Sequence, residues 1–208
     1  MTGRILIDIF ATLDGVGQSP GGVHEDLEGG FRYGGWQGPV SDDTVGEEVM
    51  AGVATLDALL LGRKTYDNWA AYWPRYRDGD ANPIAQKFNS VPKYVASRGT
   101  PRLDWEGAVA LGSDVLAEVA ALREKHTEIH VFGSLDFAQT LLRAQLFDVL
   151  NLWVFPVVLG EGKRVFPPGI DPARLRLLEP PIVASTGALL LRYAPDGQPR
   201  YGDIDPRG

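Results

Sequence analysis

The stretch ALLLGRKTYDNW, residues 58–69, decides the fold of this chain. Its first four residues are apolar and too few for a helix, so they predict a short buried strand. The turn GRKT follows at once, and aromatic residues then recur every three or four positions up to Pro74, as on one face of a helix. The stretch therefore predicts a strand, a turn and a helix in direct succession.

The same alternation continues on both sides of this stretch. Short apolar runs predict strands at residues 4–12, 93–97, 108–111, 129–132 and 149–159. Apolar residues at helical spacing predict helices at residues 44–56, 113–126 and 135–144. Two further strand-like runs follow at residues 175–178 and 188–193. This order predicts a helix-flanked, mostly parallel α/β sheet with an antiparallel edge near the C-terminus.

Length and composition are typical of one globular domain. We expect the 208 residues to form a single domain over 1–208, with a core at about 3–194 and a tail at 195–208. The formal net charge of −7 argues against a nucleic-acid partner, because phosphate binding needs clustered Lys and Arg. The chain has no cysteine, which excludes thiolate catalysis and zinc sites built on Cys. We find neither a signal peptide nor a run of roughly 20 apolar residues, so we expect no membrane contact and a cytoplasmic location.

Residues 15–39 form a glycine-rich segment that is long for a simple connector. Such segments are more often binding loops or lids, and we expect Trp36 within it to form a wall of the substrate pocket. The segment begins with GVGQSP, which lacks the third glycine and the following helix of the dinucleotide-binding fingerprint. Residues 160–164, GEGKR, likewise lack the first glycine and the hydroxyl residue of a P-loop, which argues against ATP hydrolysis.

Three turns that follow predicted strands are suited to binding anions. The first is GRKT at residues 62–65, where a helix N-terminus adds free N–H groups to two cations and a hydroxyl. The second is the small-residue pair Gly133 and Ser134, and the third is Ser97 and Arg98, a hydroxyl beside a guanidinium. Taken singly, each turn is also consistent with a solvated surface turn. Together they predict a nucleotide site, because ligands of open α/β sheets lie beyond the carboxyl ends of the strands.

Six motifs in chain order carry a resemblance to a known family. They are TLDG at residues 12–15, FRYGGW at 31–36, LLGRKTYDNW at 60–69, KYVASR at 93–98, VFGS at 131–134 and LFDVLNLWVFPVVLGEGKRVF at 146–166. In this order they resemble the family that unites dihydrofolate reductases with the C-terminal reductase domain of bacterial riboflavin biosynthesis. The match covers nearly the whole chain and is closest in character to the stand-alone bacterial members.

The resemblance implies a fold, a cofactor and site residues. The implied fold is a dihydrofolate-reductase-like, three-layer α-β-α architecture with a mixed central sheet, and the implied cofactor is NADPH. In this family the first turn contacts the cofactor phosphates, the Ser-Arg pair lies by the adenosine 2′-phosphate, and the small-residue turn passes under the pyrophosphate. The resemblance therefore assigns cofactor binding to Gly62, Arg63, Lys64, Thr65, Ser97, Arg98, Gly133, Ser134 and Leu135. As in relatives, we expect a homodimer, for which residues 152–159 and the terminal β segment would suit the interface.

The chain departs from the family pattern at the small-residue turn. It has Gly-Ser where folate reductases usually have Gly-Gly. It also has Phe132 where riboflavin-pathway reductases usually place an acid just before the turn. The riboflavin-pathway reductase is often fused to a zinc deaminase, and the absence of cysteine from this chain excludes that activity.

The residues that would act on the substrate are less clearly marked. Asp14 is the candidate for orienting the substrate or the nicotinamide ribose, and a turn-forming Asp beside Gly15 is the alternative. With Trp36, Tyr66 and Trp69 are candidates to stack on a planar heterocycle, although aromatic residues at helical spacing more often pack in the core. The histidines have no metal-like spacing, so we expect no metal. No acid stands out as a proton donor, which leaves water as a source.

The sequence leaves three hypotheses for the function. The first is an NADPH-dependent oxidoreductase that transfers hydride to a small heterocyclic or carbonyl substrate. Its named candidate is the reduction of 5-amino-6-(5-phosphoribosylamino)uracil, and dihydrofolate reduction is the alternative. The second hypothesis is an NADPH-binding module without turnover. The third is a structural protein, which the three anion-binding turns disfavour.

Overall fold

One sheet runs through the part of the chain that the computed structural model describes, residues 2–76 and 82–203. Within these ranges its strands are β1 (Arg4–Thr12), β2 (Ala58–Gly62), β3 (Lys93–Ala96), β4 (Ala108–Ala110), β5 (Glu128–Phe132), β6 (Val149–Phe155), β7 (Leu175–Leu177), β8 (Ile182–Val183) and β9 (Leu189–Pro195). Their order across the sheet is β4-β3-β2-β5-β1-β6-β9-β7, and β8 also pairs with β9.

The direction of the strands divides the sheet into two parts. The strands from β4 through β6 in this order are parallel to one another. β9 runs antiparallel to β6, and β7 and β8 run antiparallel to β9. The predicted mixed, mostly parallel sheet with an antiparallel C-terminal edge is therefore confirmed.

Helices cover both faces of this sheet. Those in the described ranges are α1 (Asp43–Thr55), α2 (Arg63–Ala70), α3 (Pro83–Ser90), α4 (Val115–Leu122) and α5 (Leu135–Arg143). Side chains of α4 and α5 pack with Ile5, Ile7 and Ile9 of β1. Side chains of α1, α2 and α3 pack on the opposite face, with Leu59 and Leu61 of β2. Successive strand residues point to opposite faces of a sheet. The residues of β1 that alternate with these isoleucines therefore lie on the other face, under α1. The three-layer α-β-α architecture is confirmed.

The stretch at residues 58–69 folds as its pattern predicts. Residues 58–61 are fully buried, and the strand ends at Gly62, where α2 begins. The helix ends at Ala70, and a 3-10 turn at Trp73–Arg75 follows. Pro74 lies inside this turn, where its missing N–H and fixed φ are tolerated but an α-helix could not continue.

The predicted helix at residues 113–126 is shorter in the structure. Asp114 fixes its beginning, because the carboxylate accepts a hydrogen bond from the N–H of Ala117 at 3.2 Å. At the other end, the carbonyl oxygen of Arg123 accepts from the N–H of Gly3 at 2.7 Å. The chain therefore leaves helical geometry where it joins the beginning of β1.

The predicted strand at residues 149–159 is also shorter, because β6 ends at Phe155. Pro156 has no N–H with which to continue the ladder, and the N–H groups of Leu159 and Gly160 bind the side chain of Asp14 instead. β6 pairs with β1 on one side and with β9 on the other. Since β6 is not an edge of the sheet, its residues cannot extend the sheet into a second copy, and the homodimer stays a prediction.

Two short elements were not predicted from the sequence. α3 has only eight residues and begins at Pro83, next to its N-cap Asn82. β8 has two residues and pairs only with β9. In residues 2–76 and 82–203, no helix is both long and apolar enough to cross a membrane.

Candidate active site

The three predicted anion-binding turns lie side by side at the carboxyl edge of the sheet. They follow β3, β2 and β5, which are adjacent and parallel. Gly62 pairs in register with Ala96, so Ser97 leaves the sheet beside the first turn. On the other side, the N–H of Gly133 donates to the carbonyl oxygen of Asp8 on β1 at 3.1 Å. The structure thus brings together the turns that the sequence could only place at separate strand ends.

The first and second turns are joined by the hydroxyl of Ser134. This oxygen accepts from the N–H of Gly62 at 2.9 Å and donates to the hydroxyl of Thr65 at 2.8 Å. A Cβ atom at position 62 would lie 3.1 Å from the Ser134 Cβ, so the close approach favours glycine. Gly133 and Ser134 both have left-handed φ angles, of 53° and 50°, a conformation that costs energy at a serine.

Two helices begin at this junction without a side-chain cap. Gly62, the N-cap of α2, has no side chain, and Ser134, the N-cap of α5, turns its hydroxyl to Gly62 and Thr65. Leu135 begins α5 and packs against the core below it. The first N–H groups of an α-helix have no partner within the helix, and they attract anions. Two such N-termini side by side fit the linked phosphates of a dinucleotide.

Exposed cations surround this junction. The guanidinium of Arg63 forms an ion pair with Asp67 at 2.8 Å, and Lys64 pairs with Glu28 of the glycine-rich segment. Arg98 is exposed at the end of β3. Exposed ion pairs contribute little to stability, so Arg63 and Lys64 can exchange their carboxylate partners for a phosphate at little cost.

Asp14 lies at the same edge but is engaged by the protein. Its carboxylate accepts from the Thr12 hydroxyl at 2.6 Å and from the N–H groups of Leu159 and Gly160 at 3.2 and 2.9 Å. Desolvation raises the pKa of this carboxyl, but these hydrogen bonds together lower it below its ordinary value. Asp14 therefore ties the end of β1 to the segment after β6. Its role toward a substrate or ribose stays a prediction.

The aromatic residues assigned to the substrate lie in the interior. Trp36 is 8% exposed, and its indole N–H donates to the carbonyl oxygen of Gln18 at 2.8 Å. Tyr66 is 1% exposed, and its hydroxyl accepts from the N–H of Trp105 at 3.0 Å. Trp69 stacks on Phe88 with their ring centroids 4.9 Å apart. The burial of Trp36 and Tyr66 and the stacking of Trp69 on Phe88 argue against stacking on a ligand, so that role stays a prediction without structural support.

A cavity of about 360 Å³ lies between α1 and the sheet. Phe10, Phe132 and Trp153 line it with aromatic surface. Phe132 directly precedes Gly133, so the cavity adjoins the second turn. On the far side, Glu48 of α1 binds Arg192 of β9 at 2.6 Å. A cavity of this volume with aromatic walls and a few polar groups has the character of a small-molecule site.

A cluster of buried polar side chains forms part of the cavity lining. His130 of β5 is fully buried, and its ring Nδ1 lies 2.7 Å from Oδ2 of Asp8. Its Nε2 lies 3.1 Å from Oε1 of Glu128. The side-chain amide of Asn151 on β6 donates to Oδ1 of Asp8 at 2.8 Å. Three neighbouring strands thus converge on the partly buried carboxylate of Asp8.

This arrangement holds His130 in its charged form. Burial lowers the pKa of the imidazole, but the charge of Asp8 and the hydrogen bonds to Asp8 and Glu128 outweigh burial and raise the pKa to about 9. The hydrogen bond with His130 in turn lowers the pKa of Glu128 to about 2. At neutral pH the cluster is therefore an imidazolium between two carboxyl groups.

Sequence reasoning missed this cluster. The sequence carried one signal for this cluster, a single polar residue within an apolar strand. Asp8 interrupts the run RILIDIF, His130 interrupts EIHVF and Asn151 interrupts VLNLWVF. A single polar residue inside a buried strand needs a partner. Among the residues that the structure describes, no group of three or more His, Asp or Glu side chains has the arrangement of a metal site.

A helix-flanked sheet of this strand order defines the dihydrofolate-reductase-like class of folds. The model of one family within this class, described as the RibD C-terminal domain, matches residues 4–180. The chain belongs to the RibD C-terminal domain family.

Known proteins similar to this chain include a relative in sequence and solved structures of the same fold. The uncharacterized protein YyaP of Bacillus subtilis (strain 168) is 31% identical over 169 residues, which cover 78% of this chain and 80% of YyaP. The crystal structure of a putative riboflavin biosynthesis protein from Shewanella sp. PV-4 is 20% identical, with a TM-score of 0.67 over 93% of this chain and 99% of the other. The dihydrofolate reductase of Enterococcus faecalis complexed with NADP(H) and RAB-propyl is 19% identical, with a TM-score of 0.59 over 94% of this chain and 98% of the other.

Proposed function

We propose that this protein is an NADPH-dependent oxidoreductase that transfers hydride to a small heterocyclic or carbonyl compound bound in the cavity under α1. The observation that carries the proposal is the junction at Gly62 and Ser134, where two uncapped helix N-termini meet beside the cavity. Such a junction binds linked phosphates, and the cavity offers an adjoining space for a planar molecule.

The residues that would hold the cofactor follow the order of the turns. The residues from Gly62 to Thr65 and from Gly133 to Leu135 would bind the pyrophosphate through backbone N–H groups and hydroxyls. Ser97 and Arg98 would bind a 2′-phosphate, which favours NADPH over NADH. When bound, NADPH supplies the hydride, and the protein contributes binding, orientation and exclusion of water.

The cavity would orient the substrate. Phe10, Phe132 and Trp153 offer apolar and aromatic surface to a planar ring, and α1 covers the cavity from above. Family membership favours a substrate of the riboflavin-pathway type, for which 5-amino-6-(5-phosphoribosylamino)uracil is the named candidate. Dihydrofolate is less favoured, because the matching family is that of the RibD C-terminal domain.

The proposal is tested by titrating the purified protein with NADPH and, separately, with NADH, followed by the fluorescence of its five tryptophans. We expect Arg63→Ala to weaken the binding of both nucleotides about tenfold, since a charge-assisted hydrogen bond is lost. We expect Arg98→Ala to weaken NADPH binding by a similar factor and to leave NADH binding unchanged. Oxidation of NADPH is then followed with a panel that includes the two named substrates.

Arg174→Ala is the matched control. Arg174 pairs with Asp196 near β7, toward the edge of the sheet opposite to β3. Replacing Arg174 should therefore leave nucleotide affinity unchanged. Failure of the wild-type protein to bind either nucleotide would overturn the proposal. If the protein binds NADPH tightly but no compound of the panel causes NADPH oxidation, the result would favour the hypothesis of an NADPH-binding module without turnover.

A further inference from the structure

The cavity places one carboxyl group where it can contact both a substrate and a buried cation. The Asp8 side chain is 14% exposed, whereas the ring of His130 behind it is 0% exposed. Asn151 holds Oδ1 of Asp8, and His130 holds Oδ2. The Asp8 backbone is bound to the second cofactor turn through Gly133. A ligand in the cavity can therefore reach the Asp8 side chain, whereas the His130 ring beside it has no exposed surface.

Such a cluster is costly to keep in the interior. Burying charged groups carries a large desolvation cost. The attraction between oppositely charged partners offsets this cost only where the geometry of the pair is good. Ionisable clusters of this kind in a cavity are enriched at functional sites. Here the cluster leaves the Oδ1 atom of Asn151 buried without a hydrogen-bond partner, which is a further cost. Three neighbouring strands contribute side chains to it, so packing alone does not account for it.

We propose that Asp8 is the catalytic acid that protonates the substrate during reduction, and that His130 is a positioning residue that supplies Asp8 with this proton. The proposal rests on the proposed function, because it needs a reductase reaction in this cavity. It assigns a proton source to a site in which the sequence showed none.

The proton balance is simple for a C=O or C=N substrate. Reduction adds a hydride to the carbon and leaves a negative charge on the oxygen or nitrogen, while NADPH is oxidised to NADP⁺. That heteroatom takes a proton from the Asp8 carboxyl group as Nδ1 of His130 passes its own proton to Asp8, so the proton moves through Asp8 in one relay. His130 becomes a neutral imidazole and regains a proton from water. The sum is one hydride and one proton added to the substrate.

Charged groups from every element around the cavity line it together with His130. They are Arg4 and Asp8 from β1, Glu48 from α1, Glu128 from β5, Glu179 after β7 and Arg192 from β9. Arg192 is paired with Glu48 and Glu179, and Arg4 lies 3.9 Å from Glu128. Asp8 and Glu128 are the two that contact the ring directly, so they set its charge. The raised pKa of about 9 keeps this proton available through neutral pH.

The test compares Asp8→Asn and His130→Gln with the wild-type protein, using a substrate that the panel identifies. We expect Asp8→Asn to lower kcat/KM by about 100-fold or more, the usual contribution of a general acid. We expect His130→Gln to lower kcat about tenfold with little change in KM, and both variants to bind NADPH as the wild type does. His126→Gln is the matched control, because His126 also lies beside a carboxylate, Asp57, but outside the cavity, and it should keep full activity.

Two further measurements separate proton supply from a structural role. The kcat/KM of the wild type should stay level up to about pH 9 and fall above it, and Glu128→Gln should move this fall to lower pH because it removes a negative neighbour of His130. Nitrogen NMR of the protein without nucleotide should show both ring nitrogens of His130 protonated at pH 7. The NMR measurement needs neither substrate nor turnover. Because it is made on the wild-type protein, it remains valid even where a variant fails to fold.

The outcomes distinguish this inference from the proposed function. A wild-type protein that binds no NADPH and reduces nothing overturns both. A wild type that reduces a substrate while Asp8→Asn keeps at least a third of its kcat/KM overturns only the role of Asp8. A neutral His130 ring at pH 7 in the wild type overturns the proton supply. Loss of turnover in Asp8→Asn with NADPH affinity unchanged and a charged His130 supports the inference.

Discussion

His130 and Asp8 lie on neighbouring parallel strands, and their side chains meet diagonally rather than in register. Asp8 pairs with Phe132 and His130 pairs with Leu6, yet Nδ1 of His130 lies 2.7 Å from Oδ2 of Asp8. Both side chains lie on the face of the sheet that α1 covers. The contact places this pair on the central strands β1 and β5, with Asn151 and Glu128 as its polar neighbours.

This pair should make the stability of the protein depend on pH. The pKa of His130 is about 9 in the folded state, whereas an unperturbed histidine has a pKa of 6.5. Its contribution is therefore complete below pH 6.5 and is lost as the pH rises through 9. Relative to His130→Gln, we expect the wild type to lose about 2–3 kcal/mol of unfolding free energy between pH 6 and pH 9.5. Urea unfolding of both proteins at the two pH values measures this difference, and a difference independent of pH would contradict it.

Lys93 should produce the opposite dependence. Its side chain is 0% exposed, and its ammonium donates to the carbonyl oxygens of Asn89 and Glu106 at 2.7 and 3.0 Å. Burial lowers its pKa to about 8, below the ordinary value of 10.5. Between these values the unfolded chain binds more protons, so stability rises with pH in this window. Relative to Lys93→Met, we expect the wild type to gain about 2–3 kcal/mol from pH 8 to pH 10.5 by urea unfolding. A constant difference between the two proteins would show that the ammonium is not desolvated.

Two glycines should respond in opposite directions to replacement by alanine. A Cβ atom at Gly3 would lie 1.8 Å from the carbonyl oxygen of His126, a backbone atom that cannot move aside alone. We expect Gly3→Ala to lose roughly 2–4 kcal/mol of unfolding free energy. A Cβ atom at Gly46, which is exposed within α1, would meet nothing within 4 Å. We expect Gly46→Ala to gain about 0.5–1 kcal/mol, because alanine has the higher helix propensity. Equal effects in chemical denaturation would refute the contrast.

The adjacent position of the three turns could be predicted from the sequence because its signals are local. The turns that contain Gly62 and Ser134 lie where apolar strands end, and parallel strands bring their carboxyl ends to one edge. The hydroxyl of Ser134 that joins two of the turns could not be predicted, because it depends on a left-handed backbone at that residue.

The cavity cluster could not be predicted for a different reason. Asp8 and His130 are 122 residues apart, and only the register of β1 against β5 brings them together. A shift of one residue in that register would turn one side chain to the opposite face. The substrate roles predicted for Trp36 and Tyr66 depended on exposure, which a pattern of aromatic residues does not reveal. Both rings instead fill the space between the sheet and the segments that cover it.

Asp14 offers a test of whether the end of β1 serves structure or the cofactor. Its carboxylate binds Thr12, Leu159 and Gly160, so Asp14→Asn should lose roughly 1–2 kcal/mol of unfolding free energy at pH 7. Because the folded-state pKa of Asp14 is lowered, its contribution to stability is present above its ordinary pKa and should fade as the pH falls below it.

Asp171→Asn is the control, since its exposed ion pair with Arg143 should contribute about 0.5 kcal/mol or less. Chemical denaturation of both variants, with NADPH affinity measured in parallel, separates the two roles. Lower stability with unchanged affinity assigns Asp14 to the fold, whereas unchanged stability with weaker binding assigns it to the cofactor.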